Sequence, residues 1–134
     1  MIEVCCALIL KGSRILAVQH GPESSHPYQW EFPGGKINAG ETYEQCIFRE
    51  IKEELSVRIG VLSQLKPVEF DYGIKQIRLI PFICKIISGE IILTEHVEKQ
   101  WFSIDDWQLL EWSGADLELI LQNQVRIKAL FQSK

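Results

Sequence analysis

The chain has 134 residues, 46% hydrophobic and 24% charged, the proportions of a globular protein with one domain (1–134) and one core. Its net charge of −4 and its 14 scattered lysines and arginines exclude a protein that grips a nucleic acid polymer, yet allow a small phosphorylated ligand if a metal reverses the local sign. No apolar run approaches the ~18 residues of a membrane span, and the first residues read as a strand rather than a leader, so a cytoplasmic protein with no membrane partner is expected.

Residues 2–10 are apolar and rich in strand formers, Lys11-Gly12-Ser13-Arg14 reads as a turn, and 15–19 return as a second strand of a hairpin. Cys5 and Cys6 are adjacent and should point to opposite sheet faces. With Cys46 and Cys84 they show no paired metal spacing and read as buried free thiols of a reducing compartment. Residues 20–28 hold Gly21, two prolines, two serines, His20 and His26, a loop of the kind that carries binding chemistry on a rigid frame. Trp30-Glu31-Phe32-Pro33-Gly34-Gly35-Lys36 follows, and its glycine pair lets the backbone approach a ligand closely.

A helix should begin at Thr42, which forms a capping box with Gln45. Ile47, Phe48, Ile51 and Leu55 fall on one side at helical spacing and are expected to be buried. Glu50, Glu53 and Glu54 fall on another side, where carboxylates at i, i+3 and i+4 repel one another. An ordinary solvated helix would alternate its signs, so the concentration of charge points to a hard cation with oxygen ligands. Arg49 lies one turn before Glu53 and can orient a carboxylate.

Residues 57–65 read as a connector, and 68–72 and 76–87 as strands around Gly73, the second central or well covered. Pro81 within it implies a bulge or a missing ladder bond. Ser88-Gly89 turns into a strand at 90–93, and 98–102 form another. Ser103 opens a short helix with an acidic first turn, and Ser113 opens a last helix to about residue 132 that buries Leu117, Ile120 and Leu121. Strands, a helix, more strands and a final helix make an α/β sandwich with a mixed sheet.

Residues 35–57 resemble the Nudix box, G-x₅-E-x₇-R-E-U-x-E-E-x-G-U with U a bulky aliphatic residue. Gly35, Glu41, Arg49, Glu50, Ile51, Glu53, Glu54 and Val57 stand where the pattern asks. The one departure is Ser56, in place of a glycine that would leave the helix with φ > 0. Together with residues 30–36 the box is similar to the MutT-like subgroup. The resemblance implies a Nudix-type α/β/α sandwich with a mixed β-sheet. It also implies a Mg²⁺-dependent pyrophosphohydrolase, with Mn²⁺ as a substitute, that cuts a (deoxy)nucleoside triphosphate to monophosphate and pyrophosphate and so sanitises the nucleotide pool. A monomer or a homodimer would suit it.

By the same resemblance Glu50, Glu53 and Glu54 are the core metal ligands. Glu95 joins them from a distant loop, and a carbonyl of Gly34 or Gly35 also ligates. Arg49 orients one carboxylate through a bidentate contact, Glu41 either binds metal through water or caps the helix, and the general base is Glu50 or Glu95. The substrate lies along Glu31, Pro33, Gly34 and Lys36, with His20 and Lys75 near phosphate or base and Trp30 and Phe32 walling the base. Asp116 takes the place of a purine-reading asparagine. An ionised aspartate only accepts, which favours a base offering amino donors, such as cytosine or an adenine-like base. Ser113-x-x-Asp116 also reads as a variant capping box. Rival readings are a hydrolase of dinucleoside polyphosphates or ADP-ribose, or a non-catalytic nucleotide sensor. Tyr72 stands where ADP-ribose hydrolases carry proline, and a pure sensor would have no need of Glu50, Glu53 and Glu54.

Overall fold

The apolar N-terminal stretch becomes β1 (Ile2–Lys11), against which the sheet is laid; the computed structural model describes residues 1–132. The turn at Gly12-Ser13 leads into β2 (Arg14–Gln19), and β3 (Trp30–Glu31) and β4 (Gly34–Lys36) follow the long loop. Next come α1 (Tyr43–Leu55), β5 (Arg58–Gln64), β6 (Val68–Asp71), β7 (Gln76–Ser88) and β8 (Glu98–Phe102). A 3-10 helix (Ile104–Leu109) and α2 (Gly114–Ala129) end the fold. The mixed sheet runs β3-β2-β1-β7-β5, with β4 added to β1, β6 to β7 and β8 to β2. β1 is parallel to β7 from Ile2↔Ile77 to Ile9↔Cys84, and the other pairs are antiparallel.

Alternation along β1 feeds two hydrophobic layers, where the composition alone implied one core. Cys5, Ala7 and Ile9 meet Cys46, Ile47, Ile51 and Leu55 of α1, while Cys6 and Leu8 pack with Leu119, Ile120 and Ile127 of α2. Helices therefore cover both faces, the expected α/β/α sandwich. The adjacent cysteines do point apart, all four thiols are free and buried, and burial pushes Cys84 up to about 12. No helix among the described residues is long and apolar enough to cross a membrane.

Four expectations need correction, and a fifth, at Pro81, holds as the missing ladder bond rather than the bulge. Residues 57–65 are not a mere connector: 58–64 form β5, an edge strand whose Gly60, Ser63 and Gln64 hide its pattern. Residues 90–93 form no strand, because their N–H groups serve α1 instead. Ile92 donates to the Leu55 carbonyl at 2.9 Å and Thr94 to that of Glu54 at 3.2 Å, satisfying carbonyls left open at the helix end. Phe48 is 42% exposed, in an outer groove with Ile59 and Ile87, and buried Cys46 takes its place on the core side. Leu121 is likewise exposed, and α2 buries Leu119 and Asn123 instead, the Asn123 amide clamping both backbone groups of Lys66 at 3.0 Å. Pro81 causes no register shift with β1. It falls in the gap between the β7 residues paired with β6 and those paired with β5, where a missing donor costs little.

The capping box at Thr42 forms as expected, with Thr42 Oγ1 accepting from Gln45 N at 3.1 Å and Gln45 Oε1 accepting from Thr42 N at 2.9 Å. At the other end Ser56 has φ 63° and ψ 27°, the left-handed turn that the family's glycine would make. Ser56→Gly should therefore raise stability by up to about 1 kcal/mol in thermal or denaturant unfolding. A variant that melts several degrees lower would show that the serine side chain contributes something the backbone angle does not reveal.

Candidate active site

The site is built where β4 brings two glycines against α1. β4 pairs with β1 through Cys5↔Gly35 and Cys6↔Gly34. A side chain at Gly34 would strike the Cys5 carbonyl, and one at Gly35 would strike the Glu50 carboxyl. Both positions need glycine because backbone and carboxylate occupy the space a Cβ would fill. Gly34 N–H also donates to Glu54 Oε1 at 3.2 Å, tying the strand to the acidic helix face.

Arg49 holds that face together, though not with the partner expected. Its bidentate contact goes to Glu41, Nε to Oε2 at 2.6 Å and Nη2 to Oε1 at 3.0 Å, because Glu41 approaches side-on from the preceding loop. Nη1 reaches Glu50 at 2.7 Å and Glu53 at 3.3 Å with single bonds, and Nη2 donates to the Lys36 carbonyl at 3.0 Å. Glu41 also accepts from Asn38 N–H at 2.9 Å, so it caps the turn before the helix rather than the helix itself. The Arg49 contact, with that of Asn38, holds the Glu41 carboxyl down at about 2.

Glu50, Glu53, Glu54 and Glu95 line one cleft of about 550 Å³ together with Gly34, Gly35, Lys36, His20, Glu31 and His96. Glu54 is 4% exposed, and burial, then Glu31, Glu95 and Glu50, push its carboxyl up to about 10. Glu95 is held over the helix from both sides. On one side Thr94 Oγ1 donates to the Glu53 carbonyl at 2.9 Å; on the other, His96 Nε2 lies 2.8 Å from Glu31 Oε2.

His20 Nε2 lies 3.0 Å from the other Glu31 oxygen, off the hydrogen-bonding line, while its Nδ1 contacts Ser24 Oγ at 3.0 Å. Glu31 raises the His20 pKa against burial, and the two histidines in turn lower Glu31 despite the desolvation that works the other way. Neither Glu31 as a doubly paired carboxylate nor His96 could be foreseen, since the residues are 65 apart in the chain.

A second, narrower cavity of about 190 Å³ shares His20, Glu31 and Gly34 with the first. Phe32, Lys75, Tyr72, His26, Ser113 and Asp116 line it as well. The Phe32 ring lies 4.9 Å from that of Trp112, centroid to centroid, and Tyr72 lies 4.8 Å from His26. Trp30 and Pro33 touch neither cavity. The Trp30 ring packs in the core, and its carbonyl accepts from Ser113 N–H at 2.9 Å; the Pro33 carbonyl accepts from Ala7 N–H at 2.9 Å. Asp116 is no capping residue. Its Oδ1 accepts from Phe32 N–H at 3.0 Å, and Ser113 makes no side-chain cap bond. Burial first, then Glu31, pushes the Asp116 carboxyl well above the ordinary range, which works against the ionised acceptor expected from the sequence.

The donor set suits a hard divalent cation. Four carboxylates crowd one cleft and one is driven toward neutrality by its neighbours, a cost that a cation removes. Among the described residues no three acidic or imidazole groups already converge as a cage.

A model of the NUDIX domain matches residues 1–122. The chain is 28% identical over 120 residues to the CTP pyrophosphohydrolase of Escherichia coli (strain K12), across 90% of this chain and 89% of that protein. It is also 28% identical over 94 residues to the 8-oxo-dGTP diphosphatase of the same organism, across 70% of this chain and 73% of that one. The crystal structure of a MutT NUDIX hydrolase from Burkholderia pseudomallei superposes with a TM-score of 0.80 at 25% identity, over 90% of this chain and 96% of that one. With the box helix, its glycine pair and its arginine-held carboxylates in place, and a domain match across nearly its whole length, the chain belongs to the Nudix hydrolase family.

Proposed function

We propose that the chain, as one domain over 1–134, is a Mg²⁺-dependent pyrophosphohydrolase in the cytoplasm that cuts a (deoxy)nucleoside triphosphate to monophosphate and pyrophosphate. Cytidine or oxidised purine nucleotides are the proposed substrates, following the names of the two relatives. The observation that carries this reading is the shared wall. An acidic cleft and a narrower cavity of about 190 Å³ meet at His20, Glu31 and Gly34, a layout that suits a polyphosphate at one end and a base at the other.

In this reading Glu50, Glu53, Glu54 and Glu95, with a carbonyl of Gly34 or Gly35, hold Mg²⁺, or Mn²⁺ in its place. The bound ion supplies charge neutralisation on phosphate oxygens and lowers the pKa of a water. Arg49 keeps Glu50 and Glu53 turned toward the cleft, and the clasp from Glu31 to His96 keeps Glu95 over it. Glu50 or Glu95 takes the proton of the attacking water. Lys36 and His20 offer donors to the phosphates, and Phe32, Lys75 and Asp116 receive the base.

A panel of nucleoside triphosphates, including CTP and 8-oxo-dGTP, assayed for pyrophosphate with Mg²⁺ tests the proposal. Pyrophosphate with the monophosphate is the expected product pair. Release of orthophosphate, or no turnover on any member of the panel, would overturn it.

A further inference from the structure

Ser113 forms part of the wall of the narrower cavity at the N-terminal end of α2. It is 2% exposed, and its Oγ is buried with no hydrogen-bond partner among the described residues. As the residue that starts the helix it would ordinarily bond back to an early N–H, and it does not. A hydroxyl removed from water and left unpaired is destabilising, so its partner is to be sought in whatever fills the cavity.

Its neighbours narrow what that filler is. Asp116 is three residues on, in the first turn of α2. It lines the same cavity, with one oxygen taken by Phe32 N–H. The Tyr72 hydroxyl accepts from Ala115 N–H at 2.8 Å, which leaves its own proton available to the cavity, and burial keeps that proton in place. One cavity wall thus carries three polar side chains, Ser113, Asp116 and Tyr72.

Resting on the reading of this cavity as the base site, we propose that Ser113 pairs with the outer polar group at ring position 2 of the base's pairing edge. The site therefore favours bases with three polar groups on that edge, such as cytosine and guanine, over adenine. Cytosine offers an amino group, a ring nitrogen and a carbonyl, and guanine a carbonyl, an N–H and an amino group. Adenine offers only two groups and a C–H, so it leaves the Ser113 hydroxyl unpaired. A site built to bond a group discriminates strongly against the analogue that lacks it.

The test compares wild type with Ser113→Ala in calorimetric binding of CMP, GMP and AMP, beside kcat/KM on the triphosphates. Wild type should bind CMP or GMP at least about tenfold more tightly than AMP. The alanine variant should lose about tenfold of that preference, through weaker CMP and GMP binding and not through tighter AMP binding. Its melting temperature should hold, because no cap bond is lost; Ser113→Gly, well tolerated at a helix start, repeats the measurement if the alanine variant does not fold. A ratio unmoved in the folded variant, wild-type binding of AMP as tight as CMP, or no binding of any of the three would overturn the inference. Selective CMP binding that is lost in the variant, with no triphosphate cleaved by the wild type, would uphold it while defeating the hydrolase reading.

Discussion

Glu53→Gln should lower kcat at least about 100-fold on whichever triphosphate the protein cleaves best, the scale on which one catalytic group matters. Glu53 is 56% exposed and receives one 3.3 Å bond from Arg49, so its loss should leave the metal-free melting temperature nearly unchanged. Near-full activity in this variant would end the assignment of α1 as the metal-binding face. The sequence implied that relief of carboxylate repulsion would come from this substitution, but burial moves that effect to Glu54. Glu54→Gln should raise the metal-free melting temperature while abolishing the rise that added Mg²⁺ produces in the wild type. The sign follows from the folded-state pKa, which is raised from 4.5 to about 10. The stability tied to the protonated form is complete below about pH 4.5 and is lost as pH rises toward 10. Wild-type stability without metal should fall across that window, and Glu54→Gln should flatten the fall. A profile equally steep in the variant would place the titration elsewhere.

The second large effect is expected at Asp116. An ionised carboxylate there would make Asp116→Asn shift preference about 10–100-fold away from cytosine and toward keto-bearing bases. Burial and Glu31 push the carboxyl toward its neutral form, and that form leads to a different outcome. Oδ1 already accepts from Phe32 N–H, so the proton belongs on Oδ2, and the group presents one donor and one acceptor as an asparagine amide would. Asp116→Asn should therefore hold the kcat/KM ratio between CTP and 8-oxo-dGTP within a few-fold. Asp116→Ala, which also strips Phe32 N–H of its partner, should lower kcat/KM on both by about 10–100-fold. A shift of tenfold or more toward 8-oxo-dGTP in the asparagine variant would restore the ionised reading.

These expectations rest on two kinds of information that reside in different places. The acidic face was legible in the chain because a helix repeats every 3.6 residues: Arg49, Glu50, Glu53 and Glu54 had to share a side wherever the helix was placed. The capping box, the turn at Gly12-Ser13, the left-handed Ser56 and the opposed faces of Cys5 and Cys6 are local in the same sense, each decided by one to four residues. Edge strand β5 and the segment at 90–93 were not legible, since their backbone partners lie elsewhere in the fold, on β7 and at the end of α1. The raised pKa values of Asp116 and Glu54, the clasp of Glu31 between His20 and His96, and the unpaired hydroxyl of Ser113 belong to the same class. Each depends on desolvation or on a partner tens of residues away, and packing alone sets both. The sequence by itself determined which face of α1 carries the charge; only the tertiary structure decided which of its carboxylates is buried and which side chains enclose the narrower cavity beside it.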